Sequence, residues 1–345
     1  MDNQMKIKNK YAIGCLIQWY EIELLEEYLQ SVRNAVDTIE NKDNIIIDLY
    51  INYDQTLEKI DESQISITEI KQKFTKMLKD IFQYDEENIS LVGCKYNIVI
   101  TTNDIRNNIY TIADYRRDFN DKYCTKVDVL MWGETDSLIP RQTFQILDNV
   151  HNKVNSTTPK YIIFFGTCKM WDDTWRVLEH PDFTDKPFYD SPDDFDPKKH
   201  WWSLRYSMSI DEMNKFNDKV EELDVKLLNQ HKFNGCGLVI SSEVIKSGVN
   251  IPRSVFFVHE DTAFMFMIQK VLGMIPQFVI KNILLVHNRN NPKKRMYVAG
   301  ESGKTVNLRR RSNDWYVKAN KMSEENCYNL TNPNYKYYTW EDVWK

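Results

Sequence analysis

Three short stretches of this sequence carry side chains that can do chemistry. The first is Glu134-Thr135-Asp136, inside VDVLMWGETDSLIP at residues 127–140. Two carboxylates one residue apart, on the turn after a strand, can bend toward one point. Converging oxygens of that kind suit a hard divalent cation such as Mg2+ or Mn2+. Such a turn can equally be a solvated acidic cap on a helix opened by Pro140. The second stretch is His259-Glu260-Asp261. A carboxylate aimed from a rigid strand-to-helix junction can take a proton from a hydroxyl poised for attack. Alternatively, both acids only complement the dipole of the helix they precede. HEDTA lacks the second histidine of a zinc-protease helix. The third is His287, followed by Asn-Arg-Asn-Asn-Pro-Lys-Lys-Arg. Its imidazole offers a nitrogen ligand to a metal, and Lys293, Lys294 and Arg295 offer cations to phosphates.

Each stretch follows an apolar run, so the elements that position them are strands. Residues 127–132, closed by Gly133, read as a buried strand. So do residues 11–17, 45–51, 97–101, 161–165, 235–241, 255–258 and 278–286. The second of these further strands ends in Asn52-Tyr53-Asp54. Helical spacing of apolar residues predicts helices over 21–37, 104–119, 140–150 and 262–272, the last stopped by Gly273. Arg106, Arg116 and Arg117 lie on or beside the second. Ser66 with Glu69, and Ser209 with Glu212, are capping boxes that open two more helices. The latter should carry Met213, Phe216, Val220, Leu223 and Leu227 inward. The alternation of strands rich in Ile and Val with helices predicts one mostly parallel α/β sheet covered on both faces. No GxGxxG follows the first strand. GESGKT at 300–305 lacks the leading glycine of a phosphate loop, since residue 298 is Val298.

Bulk properties narrow the class. Charged residues make up 28% and hydrophobic ones 42% of 345 residues, as in ordinary globular proteins. The net charge of −5 argues against a general nucleic-acid coat. No long apolar run or leader pattern is present, so no membrane span and a cytoplasmic location, a host cell's cytoplasm included, are expected. The six cysteines are scattered without a CxxC, which predicts reduced core thiols and no zinc site. Residues 166–233 hold Trp171, Trp175, Trp201 and Trp202 and read as an aromatic-rich insertion that anchors to the core or stacks on sugar rings. Residues 289–321 carry ten lysines and arginines against two acids, a polyanion site or a solvated face. The tail from 326 is crowded with Tyr335, Tyr337, Tyr338, Trp340 and Trp344 and is expected to pack back on the domain.

In order along the chain, these pieces resemble a nucleotide-sugar-dependent glycosyltransferase of the A-type (GT-A) fold, inverting and family-2-like. The resemblance spans residues 11–295. It rests on YAIGCLIQWYEIELLEEYLQSV, INYDQT, the ETD that stands where the family has DxD, HEDTAF and VHNRNNPKKR. No QxxRW follows HEDTAF, unlike in processive polysaccharide synthases. The resemblance implies a single Rossmann-like sheet over residues 1–300 and a basic, aromatic extension over 301–345. It implies a Mn2+ or Mg2+ ion on Asp136, His287 and Glu134. It makes Asp261 the base, with Glu260 as alternate. Asp54, Asn52, Arg106, Arg117, Lys293, Lys294 and Arg295 become contacts for a nucleoside-diphosphate sugar. The acceptor is a glycan, a small molecule or, given Arg309-Arg310-Arg311 beside Trp315, a hydroxymethylated DNA base. A non-catalytic nucleotide- or glycan-binding protein of the same fold is the remaining alternative. The oligomeric state is left open.

Overall fold

The computed structural model describes residues 4–54, 66–84, 95–104, 109–167, 169–171, 177–179, 208–228, 235–288 and 314–345. In chain order the strands are β1 (Tyr11–Gln18), β2 (Ile45–Asn52), β3 (Asn97–Asn103), β4 (Val129–Trp132), β5 (Ser137–Leu138), β6 (Ile162–Thr167), β7 (Lys169–Trp171), β8 (Val177–Glu179), β9 (Val225–Leu227), β10 (Val239–Ser241) and β11 (Gln277–His287). The helices are α1 (Leu25–Asp37), α2 (Ile67–Phe82), α3 (Ile112–Tyr123), α4 (Thr143–Val154), α5 (Ile210–Asn217), α6 (Ser242–Lys246), α7 (Glu260–Leu272), α8 (Asp314–Tyr328) and α9 (Trp340–Trp344).

One sheet of nine strands organises the chain, in the order β3-β2-β1-β4-β10-β6-β11-β5, with β9 added on β11. β1, β2, β3 and β4 are mutually parallel, and β6 is parallel to β11. β10 runs against both β4 and β6, so β6 and β11 point the same way as β1–β4. The carboxyl ends of six strands therefore share one edge. β10 begins at that edge and β5 lies against the end of β11. The sheet is mostly parallel, as expected from the sequence, with antiparallel pairs added by the short strands β5, β9 and β10. The order β2-β1-β4 also places a reversal of winding direction between β1 and β4, the usual position of a ligand crevice in open α/β sheets.

Apolar side chains on the two sheet faces form two core clusters. One contains Ile13, Cys15, Ile17, Leu29, Val32, Phe144 and Leu285, and the other Ala12, Trp132, Phe119, Ile240 and Phe264. Both predicted capping boxes are present, at Ser66 and Ser209. α1 opens at Leu25, a few residues later than its apolar spacing suggests, after a 3-10 turn over Trp19–Glu21.

Four other expectations need correction. Pro140 does not open a helix, because Ser137–Leu138 pairs with β11 first and α4 starts at Thr143, whose N–H reaches the Pro140 carbonyl at 3.0 Å. Residues 255–258 are not a strand. They have no neighbouring strand, and Phe256 and Phe257 pack on Trp315, Tyr316 and Trp340 instead. The stripe from Met213 to Leu227 is not one helix: α5 ends at Asn217, and Val225–Leu227 is an edge strand beside β11. The helix placed at 104–119 runs instead over Ile112–Tyr123, capped by Thr111 and Asp114. Most of the tryptophan-rich stretch and the whole of the segment 289–313 lie outside the described residues. No helix among the described residues is long and apolar enough to cross a membrane.

Candidate active site

The site is built where β4 ends. Gly133 donates its N–H to the Gly14 carboxyl-side carbonyl of β1 at 2.7 Å. A methyl on Gly133 would lie 2.1 Å from the Tyr28 hydroxyl, so only glycine fits that approach. The chain then turns through Glu134, Thr135 and Asp136. The Ser137 hydroxyl and N–H both donate to the Glu134 carbonyl, at 2.9 and 3.0 Å, and close the turn. β5 next pairs with the last residues of β11, Ser137 opposite His287. Asn288 N–H donates to the Asp136 carbonyl at 2.7 Å. Sheet hydrogen bonds thus bring residues about 150 positions apart into register.

The result is a tight group. His287 Nε2 lies 3.0 Å from Glu134 Oε2 and 3.4 Å from Asp136 Oδ1. A carboxylate oxygen of Glu134, the Cys236 sulfur and a ring nitrogen of His287 all lie within 4.8 Å of one another. Burial pushes the Glu134 carboxyl up, but His287 and then Arg116 outweigh it and hold it at about 2. Burial lowers the His287 imidazole, yet Cys236, Asp136 and Glu134 around it carry it well above the ordinary histidine range. Burial raises the Cys236 thiol. Among the described residues the donors close enough to share one cation are those of Glu134, Cys236 and His287, and Asp136 adjoins them through His287.

The second acid pair enters from another direction. His259 caps α7 in the left-handed region, φ 68°, and its ring meets Asn320 of α8 at 3.1 Å. The buried Glu260 carboxylate pairs with Arg116 Nη1. Arg116 Nη2 reaches Glu134 at 2.6 Å and the Gly235 carbonyl at 3.3 Å. This guanidinium, only 2% exposed and stacked 4.7 Å over the Trp132 ring, bridges the two acid pairs. Burial raises Glu260 to about 7, with Arg116 opposing and Asp261 adding to the rise. Asp261 is half-buried, and its Oδ1 accepts the Thr262 N–H at 2.7 Å. A methyl on Gly235 would lie 2.5 Å from Arg116 Nη1 and 3.3 Å from Asp261 Oδ2. Gly235 therefore marks the place where Asp261, Arg116 and the turn carrying Cys236 come together.

Asn52 and Asp54 sit at the same sheet edge and are both buried. Asn52 donates to the Gln18 side chain and the Tyr110 carbonyl, and accepts from Asn103 and from the Asp54 N–H. It orders the end of β2. Arg117 was a candidate for the donor. Its guanidinium is instead engaged by the carbonyls of Ile251, Pro252 and Val255 and by Asp114. That environment makes it a clamp between α3 and the segment leading to α7. Arg106, Lys293, Lys294 and Arg295 lie outside the described residues.

Sequence reasoning assigned no role to Arg116, although two consecutive arginines inside an amphipathic helix were a signal. Cys236 is, as expected, a buried core thiol, and its sulfur also lies beside Glu134 and His287.

No protein-family model matches the sequence, and no curated protein matches it. Among solved structures, residues 1–349 of S. aureus TarS superpose with a TM-score of 0.44 at 8% identity, over 97% of this chain and 77% of that one. A longer S. aureus TarS chain gives 0.45 at 9% identity, over 94% of this chain and 46% of that one. The 1–349 fragment in complex with UDP-GlcNAc gives 0.42 at 8% identity, over 94% and 76%. Likeness at this level carries no functional conclusion.

Proposed function

We propose that this protein is a metal-dependent glycosyltransferase of the GT-A type, moving a sugar from a nucleoside-diphosphate sugar to an acceptor hydroxyl with inversion. One observation carries the reading: His287 meets Glu134 and Asp136 at the carboxyl edge of the sheet, with Glu260 tied to the same Arg116 that holds Glu134. Residues 1–300, with an insertion at 166–233, form the transferase unit of this proposal, and 301–345 its extension.

In this reading Asn52 and Asp54 hold the nucleoside end of the donor. Asp136, His287 and Glu134 would hold a Mn2+ or Mg2+ ion, which would supply positive charge toward a leaving diphosphate. Arg106 and the Lys293, Lys294 and Arg295 loop add cations toward the phosphates. Arg117, engaged with backbone carbonyls, is not part of this donor site. Asp261 takes the proton from the acceptor hydroxyl. Glu260 is fixed by Arg116 and acts as the alternate.

The test is a panel of UDP-sugars and other nucleoside-diphosphate sugars with Mn2+, Mg2+ or a chelator. Release of free sugar or nucleoside diphosphate only with the metal is expected. Donor binding without any turnover would assign a non-catalytic binder, and no donor binding at all would refute the proposal. A glycan or small polyol is the default acceptor. A DNA acceptor is favoured only if association weakens steeply with salt.

A further inference from the structure

The cation ligands so far are hard oxygen and borderline nitrogen. Cys236 adds sulfur. Its turn is fastened to β4, with Gly237 N–H donating to the Trp132 carbonyl at 3.1 Å and Trp132 N–H to the Leu238 carbonyl at 2.9 Å. Gly237 has φ +66°, so the turn demands glycine there. The two flanking glycines leave the thiol as the side chain of this turn, and its sulfur lies within 4.8 Å of a Glu134 carboxylate oxygen and a His287 ring nitrogen. Donors at about 2.0–2.3 Å from one tetrahedral zinc-like ion stand about 3.3–3.8 Å apart, and the Glu134, Cys236 and His287 donor atoms all lie within 4.8 Å of one another, so they close on one ion with movements of about an ångström or less.

We propose that Cys236 ligates the same cation as a thiolate, and that the site thereby prefers thiophilic dications, Zn2+, Cd2+ and Co2+, over Mg2+. Sulfur ligands select such ions, whereas Mg2+ takes oxygen almost exclusively. Binding replaces the S–H bond by a sulfur–metal bond and releases the thiol proton to solvent. Arg116, directly behind Glu134 at 2.6 Å, compensates the added negative charge. The proposal rests on the cation site put forward under Proposed function and adds the identity of its ligand and of its ion.

The test uses the full-length chain, stripped with a chelator and titrated with Co2+, Cd2+, Mn2+ and Mg2+ alone. Calorimetry reads affinity, and absorbance reads sulfur-to-cobalt charge transfer in the near ultraviolet. Wild type should show the charge-transfer band and bind Cd2+ at least about a hundredfold more tightly than Mg2+. Cys236→Ser should lose the band and weaken Cd2+ tenfold or more, with a smaller loss for Mn2+. Cys236→Ala serves if the serine variant misfolds by circular dichroism. Mn2+ binding that His287→Ala abolishes, with no band and no change in Cys236→Ser, would overturn the thiolate and leave the cation site standing. Absence of binding by any of the four ions would overturn both.

Discussion

The two acid pairs of the site are held by different physics. Glu134 and Asp136 sit on a turn whose backbone is pinned on both sides, by Gly133 on β1 and by the pairing of Ser137 with His287. Glu260 and Asp261 follow an irregular segment and a left-handed His259, and Glu260 is held by a single guanidinium. The first pair is positioned by main-chain hydrogen bonds, which few substitutions can remove. The second depends on side chains, above all Arg116. A ligand set for an ion is well served by rigid backbone, while a group that must gain and lose a proton is tuned through its neighbours.

Substitutions can break or sharpen that contrast. The largest expected effect is that of Asp136→Ala, which should bring metal-dependent turnover down to background while leaving the unfolding midpoint in urea nearly unchanged. A large loss of stability instead would mean the turn depends on its side chains. Arg116→Met should act on the fold itself. It leaves Glu134 and Glu260 without their shared cation, at a cost of about 3–5 kcal/mol in urea unfolding. Adding Glu260→Gln should recover part of that loss, and additive costs would show that the bridge does not couple the pairs.

Next in size is Asp261→Asn, expected to lower turnover on the order of a hundredfold or more with donor affinity preserved. Single-turnover kinetics and donor calorimetry separate these, and unchanged turnover removes Asp261 from the base role. The smallest effect concerns pH. Burial, with Asp261 reinforcing it, raises Glu260 to about 7 from an ordinary 4.5. The folded state then binds this proton more tightly than the unfolded chain, so this group's contribution to stability is full below about 4.5 and declines as pH rises toward about 7. Glu260→Gln should flatten that part of the profile, measured as urea midpoints across pH 4–8.

The same contrast explains what could be read from the sequence. β1, β2, β3 and β4 announce themselves as runs of Ile, Val and Leu, and the two capping boxes mark their helices, because these signals are local. The ETD turn, HED and His287 stood out as acids and an imidazole after apolar runs, and the structure does bring Glu134, Asp136 and His287 together. β5 was not legible, since Ser137 and Leu138 become a strand only by meeting β11. Val255-Phe-Phe-Val looked like a strand but found aromatic partners on α8 and α9 in place of a neighbouring strand. Arg116 was hidden for a related reason. Its ion pairs lie across the sheet edge, which no window of sequence contains.

The pairing of β5 with β11 has a consequence for biogenesis. Residues 134–136 leave the ribosome roughly 150 codons before His287, so the proposed ion-binding group cannot exist on a partial chain and forms only when β11 docks. Free metal that binds this group then favours the docked strand by mass action, tying completion of the sheet to the supply of the ion in the compartment where the chain matures.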